Sequence, residues 1–126
     1  MIVIDSDVLI EIGEKKSEKG TKASERILQS GEEIFITAIT LHEVLYGFHK
    51  RGKPTDDLLL FPVLDYTQKD AILSSKVEVE AERKGSPISR TDAMIAAITV
   101  NNGAQLYSFN VKHFSSLKKF GLKLFP

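Results

Sequence analysis

Asp5 and Asp7 come directly after the apolar run Ile2-Val3-Ile4, where a buried strand would give way to a turn. Glu43 follows a second such run, Ile34-Phe35-Ile36, and Asp92 immediately precedes the apolar stretch Ala93-Met94-Ile95-Ala96-Ala97-Ile98. Asn110 comes shortly after Gln105-Leu106-Tyr107-Ser108. Taken singly, each acid reads as a helix cap: a carboxylate near a helix start accepts backbone N–H groups and complements the dipole. Thr40-Leu41-His42-Glu43 and Ser89-Arg90-Thr91-Asp92 both have capping-box spacing. Taken together, Asp5, Glu43 and Asp92, with Asn110 as a fourth oxygen donor, would crowd like charges with no lysine between them. Repulsion raises carboxylate pKa values unless a cation holds the group ionised. A hard divalent ion with oxygen ligands, Mg²⁺ or Mn²⁺, is the natural cation.

Convergence of these residues requires a parallel sheet. Ile2-Val3-Ile4 is continuously β-branched, as suits a strand buried on both faces. A short helix is expected from Val8 to about Lys16, then a polar loop over 15–20. A second helix over 21–30 turns Ala23, Ile27 and Leu28 inward and stops at Gly31. Thr37 or Thr40 opens a helix with Leu41, Val44, Leu45 and Phe48 at helical spacing, which Pro54 ends. A short strand is expected at Val63-Leu64, a long helix from Thr67 to about Lys84 and an apolar helix from Ser89 to Asn101. The strand of Gln105–Ser108, a helical turn over 111–117 and a last strand at 122–124 complete the pattern. Alternating strands and helices predict a three-layer α/β/α sandwich around a parallel sheet of about five strands, as a single domain over 1–126. Ligands of such sheets sit beyond the carboxyl ends of the strands, where these acids fall.

Composition narrows the chemistry. Lys plus Arg equals Asp plus Glu at 17 each, so the chain lacks the basic excess of a protein that coats nucleic acid. The absence of cysteine excludes disulfides, thiolate metal sites and cysteine nucleophiles from this chain. No apolar run approaches the ~20 residues of a membrane span, and with no signal-like segment the expectation is a cytoplasmic protein away from membranes. His42-Glu43 begins like H-E-x-x-H, but Tyr46 stands where the second histidine is needed. His49 shares a helix face with His42 and reads as a surface partner, and His113 as a helix-end or surface residue.

The stretches 2–10, 36–47, 91–97 and 106–114 together resemble the four motifs of PIN-domain ribonucleases, most nearly the VapC-type toxins of prokaryotic toxin–antitoxin pairs. No one motif is specific, but four in register are. The resemblance implies that Asp5, Glu43 and Asp92 hold Mg²⁺ or Mn²⁺ and that RNA phosphodiesters are hydrolysed by water. It places Asn110 where many members carry a fourth aspartate, and Ser108 where a hydroxyl orients the acids. Asp7 is auxiliary. It also implies a VapB-type antitoxin partner and a homodimer, with Leu58-Leu59-Leu60-Phe61 as a possible contact for either, although core packing accounts for that run more simply. Arg90, Lys50, Arg51 and Lys112, with Lys53, Lys118 and Lys119, are the basic residues that could meet RNA, against a plain reading as solvated surface. Two other readings remain. Asp5-Ser6-Asp7 also resembles the D-x-D of haloacid-dehalogenase-like phosphatases, though the chain is short for them. Asn110 leaves open a catalytically inactive PIN domain that binds metal or a partner.

Overall fold

The computed structural model describes residues 1–126. Strands Ile2–Ile4 (β1), Ile34–Thr37 (β2), Val63–Leu64 (β3), Gln105–Tyr107 (β4) and Lys123–Leu124 (β5) form one sheet. Its order is β3-β2-β1-β4-β5, and every neighbouring pair is parallel. The intervening helices are Ser6–Ile10 (α1), Glu18–Ser30 (α2), Ala38–Lys50 (α3), Gln68–Arg83 (α4), Arg90–Asn101 (α5) and Val111–Ser115 (α6).

The β-branched run of β1 is central because both of its faces are covered. Ile2 and Ile4 pack with Val8, Leu9, Ala23, Ile27, Ile36 and Val44, from α1, α2, β2 and α3. Val3 points the other way, into Val77, Ala81, Ile95, Ala96, Leu106 and Phe114, so α4, α5 and α6 form the third layer. Side chains alternate across a strand, and this alternation divides one apolar run between two cores. On α5, Ala93, Ala96 and Ala97 are buried, and their small side chains let the helix lie close to its neighbours. The expected α/β/α sandwich is therefore the observed one. No helix is long and apolar enough to cross a membrane.

Four local expectations are corrected. The first helix begins at Ser6, and α1 runs directly into a π-helical turn over Glu11–Lys15. Part of the expected 15–20 loop is helix, because Ser17 caps α2 by accepting the Gly20 N–H at 3.0 Å. Leu28 is 80% exposed rather than inward. The buried stripe of α2 is Gly20, Ala23 and Ile27, and one further residue rotates by about 100°, off that face. In the Leu58–Phe61 run only Leu58 is buried, while Leu59 and Leu60 stand exposed on a 3₁₀ turn.

Candidate acidic site

From β1 the chain builds outward through β2 and β3 on one side and through β4 and β5 on the other. The carboxyl ends of β1 and β4 therefore flank the crevice where open α/β sheets bind ligands. Ile4 is in register with Tyr107, and the Asp5 N–H donates to the Tyr107 carbonyl at 2.9 Å. Asp5 and Ser108 thus emerge side by side.

Asp5 is the N-cap of α1 and is buried. Its Oδ1 accepts the Ser6 N–H at 2.8 Å, and its Oδ2 accepts the Ser108 hydroxyl at 3.0 Å. Ser108 Oγ also lies 3.3 Å from Asp7 Oδ2 and accepts the Asn110 N–H at 3.1 Å. One hydroxyl proton therefore stands between two carboxylates. Asp7 has a larger share in this framework than its auxiliary reading implied. Its Oδ1 accepts the Val8 N–H at 2.7 Å and its Oδ2 the Phe109 N–H at 3.0 Å, tying the start of α1 to the end of β4. With both oxygens so engaged, Asp7 is poorly placed for the acid/base role that a phosphatase D-x-D demands.

Burial, reinforced by the charges of Asp7 and then Asp92, pushes the Asp5 carboxyl up to about 6, against the pull of Ser6 and Ser108. Glu43 is exposed at the rim on α3. Partial desolvation and the charge of Asp92 raise its pKa, while His42 opposes the rise. The capping-box reading of Glu43 fails because Thr37, not Thr40, caps α3 by accepting the Thr40 N–H at 3.0 Å. Ser89 does cap α5, accepting the Asp92 N–H at 3.2 Å. The Asp92 carboxylate does not complete the box. Its Oδ2 lies 3.0 Å from His113 Nε2, so His113 belongs to the site rather than to the surface. The buried Phe114 beside it anchors α6 in the core, which fixes where the imidazole falls. Asn110 reaches the cluster only through its backbone, and its exposed side chain makes no hydrogen bond.

The basic residues expected to meet RNA differ in how they are held. Arg90 is held by both oxygens of Glu78 at 3.1 and 3.2 Å, and Arg51 by Glu14 at 2.9 Å. Lys53 shares Glu14. Lys50 is exposed beside Tyr46, and Lys112 is exposed without a carboxylate partner. None of Asp5, Asp7, Glu43 and Asp92 pairs with a lysine or arginine. Acids without a lysine or arginine partner, two of which (Asp5 and Glu43) are pushed up by burial and by neighbouring carboxylates, suit a hard divalent cation in donor chemistry and charge. No three carboxylate or imidazole groups surround one point at ligand distance.

Residues 2–119 match the family model of the PIN domain. The chain is 30% identical over 100 residues to the tRNA(fMet)-specific endonuclease VapC of Salmonella typhimurium, covering 74% of this chain and 76% of the relative. It is 29% identical over 127 residues to ribonuclease VapC1 of Methanocaldococcus jannaschii, covering 98% and 86%. Among solved structures, VapBC2 of Rickettsia felis bound to a promoter DNA fragment superposes with a TM-score of 0.81 at 24% identity, over 99% of this chain and 98% of that one. VapBC-1 of nontypeable Haemophilus influenzae superposes with a TM-score of 0.82 at 21% identity, over 99% and 97%. With the family model matched over nearly its whole length and its fold and sequence similar to these proteins, the chain belongs to the PIN-domain family, in its VapC-type branch.

Proposed function

We propose that this protein is a Mg²⁺- or Mn²⁺-dependent endoribonuclease, the toxin of a VapBC-type toxin–antitoxin pair. One observation carries the reading. A buried carboxylate, Asp5, shares a sheet edge with Asp7 and Asp92, and no lysine or arginine pairs with any of them. Its relatives of the same type are named as ribonucleases or endonucleases.

Asp5, Asp92 and Glu43 would hold the ion, with Asn110 at the margin. When bound, it neutralises charge at the scissile phosphate and lowers the pKa of an attacking water. The chain supplies the arrangement. The Ser6 N–H and the Ser108 hydroxyl fix the two oxygens of Asp5, so its carboxylate is oriented before any ligand arrives. His113 orients Asp92 in the same way. Glu43, exposed at the open rim, would either join Asp5 and Asp92 on the ion or take the proton of the attacking water. Attack by water at the phosphorus with the 3′-oxygen leaving would give a 5′-phosphate and a 3′-hydroxyl.

A VapB-type antitoxin and a homodimer are part of the proposal. The similar solved structures are VapBC complexes, and Tyr46, Leu59 and Leu60 give this chain exposed apolar surface. A zero net charge favours a groove completed by a second copy, and the cytoplasm is the expected compartment. The test is cleavage of a mixed RNA pool with Mg²⁺, with Mn²⁺ and with chelator, beside Asp5→Asn. Metal-dependent cleavage lost in the variant supports the reading. Equal activity or equal inactivity of the two proteins overturns it, and inactivity with retained metal binding leaves a non-catalytic PIN domain.

A further inference from the structure

Beside Asp7 lies a shallow groove of about 270 Å³, lined by Asp7, Ile10, Glu11, Lys15, Lys19 and Phe109. It adjoins the acidic site through a single residue, because Asp7 Oδ2 accepts from both Ser108 and Phe109. The groove combines an aromatic face with two ammonium groups. Lys19 Nζ stands 4.0 Å from the centre of the Phe109 ring and has no carboxylate partner. Lys15 is 65% exposed and only loosely paired with Glu11, at 3.7 Å.

The backbone here is built to hold that arrangement. Lys15 ends the π-helical turn, and π-helical turns are frequent at functional sites. Lys16 is the only non-glycine residue with positive φ, at 50°, a conformation that persists only where its surroundings enforce it. Gly20 lets α2 lie directly against the turn, since a Cβ there would stand 2.1 Å from the Glu11 carbonyl oxygen. Phe109 is held edge-on by Tyr107, with ring centroids 5.9 Å apart. Lysines beside a fixed aromatic face suit single-stranded nucleic acid, whose phosphates meet ammonium groups while a base stacks on the ring.

We propose that Lys15, Lys19 and Phe109 form a nucleotide subsite that receives the RNA strand next to the scissile phosphate, with the base on Phe109 and a phosphate between the lysines. The proposal rests on the ribonuclease reading and supplies it with a strand path that Arg90 and Arg51, already paired, do not offer. Lys19 would leave the ring face for phosphate as a base stacks in its place.

The test uses Asp5→Asn protein with Mg²⁺, which binds without cutting, and a short mixed-sequence single-stranded RNA followed by fluorescence anisotropy at several salt concentrations. Adding Lys15→Gln and Lys19→Gln should weaken binding about tenfold and flatten the log–log salt slope by about 0.7, the figure for one phosphate on a single strand. Phe109→Leu should weaken binding about tenfold with an unchanged slope, and Phe109→Tyr should restore it, the stacking of one base being lost and regained. Lys22→Gln, on the same helix but paired with Glu18, should change neither quantity. Thermal melts identify a variant that fails to fold, and the lysine pair, being exposed, decides the matter alone if Phe109→Leu does. Wild type that cuts RNA while the lysine and Phe109 variants bind like their parent overturns the subsite and leaves the nuclease standing. Wild type that cuts nothing overturns the nuclease. In that case lysine-dependent RNA binding still supports the subsite, and absent binding overturns it as well.

Discussion

His113 Nε2 meets Asp92 Oδ2 at 3.0 Å across the interval between α6 and α5, so an acid of the candidate site is held by a residue from another motif. An outer partner of this kind fixes where a ligating carboxylate points, and its loss typically lowers metal affinity by about 10- to 100-fold. His113→Ala should therefore raise the Mg²⁺ concentration needed for half-maximal cleavage by about tenfold or more, with much of the rate regained at saturating Mg²⁺. His113→Gln, which keeps a donor, should fall between. An unchanged metal titration would reduce the pair to surface decoration.

Ser108 serves three partners with one hydroxyl: Asp5, Asp7 and the Asn110 N–H. Ser108→Ala removes the one proton between two carboxylates and leaves Asp5 buried with less compensation. The loss should be about 1–3 kcal/mol in urea unfolding at pH 7, the range for a buried group stripped of its partner, together with a fall in cleavage. Ser108→Thr retains the hydroxyl and should restore both.

Arg90 stands two residues from Asp92 in sequence but is committed to Glu78. Its pairing is exposed, and exposed ion pairs contribute little to stability. Arg90→Gln should leave RNA affinity and the salt slope within about twofold of wild type, whereas a phosphate contact would show as a slope reduced by about 0.7.

Much of this was legible because the signals are local. The β-branched runs of β1 and β2 announce strands, Thr67 and Asp70 form the capping box that opens α4, and Gly31 closes α2 at φ 68°. The acids were legible as a set because each falls where an apolar run meets a helix. What escaped depends on contacts between motifs. Nothing near His113 in sequence indicates that its imidazole will reach Asp92, and nothing near Asp7 shows that its carboxylate will tie down Phe109. The π-helical turn escaped for a related reason. Gly20 reads as the end of a polar loop, yet it is where two backbones approach, and that approach is visible only once α2 has folded back. Nor does the sequence near Arg90 show that it will pair with Glu78, or the sequence near Lys19 that it will stand over the Phe109 ring.

Gly20→Ala tests that close approach directly. Its Cβ would stand 2.1 Å from the Glu11 oxygen and 2.5 Å from the Glu11 carbon, both backbone atoms that no rotamer change can move aside. Relief requires α2 and the π-helical turn to separate, so the penalty of overpacking, about 1–3 kcal/mol, should outweigh the helix-propensity gain of about 1 kcal/mol. A lower Tm than wild type is expected, with weaker RNA binding if Lys15 and Lys19 part as the helix shifts. A raised Tm would show that the contact is slack.

Asp5 gives the clearest dependence on pH. Its carboxyl titrates near 6 in the fold against an ordinary 3.8, so between these values the folded state holds a proton that the unfolded chain has released. Stability therefore falls as pH rises from about 4 to about 6 and is then flat in this group. The total loss is about 3 kcal/mol at 1.36 kcal/mol per pH unit. Asp5→Asn abolishes that loss while keeping an oxygen for the Ser6 N–H. It should be the more stable protein at pH 8 and should lose the advantage by pH 4. A divalent ion that binds the ionised cluster stabilises only the fold that carries it. Mg²⁺ should accordingly raise the wild-type Tm above pH 6, narrow the gap to Asp5→Asn, and leave the variant nearly unmoved. Equal shifts in both proteins would separate Asp5 from the ion and return it to its plain role as the cap of α1.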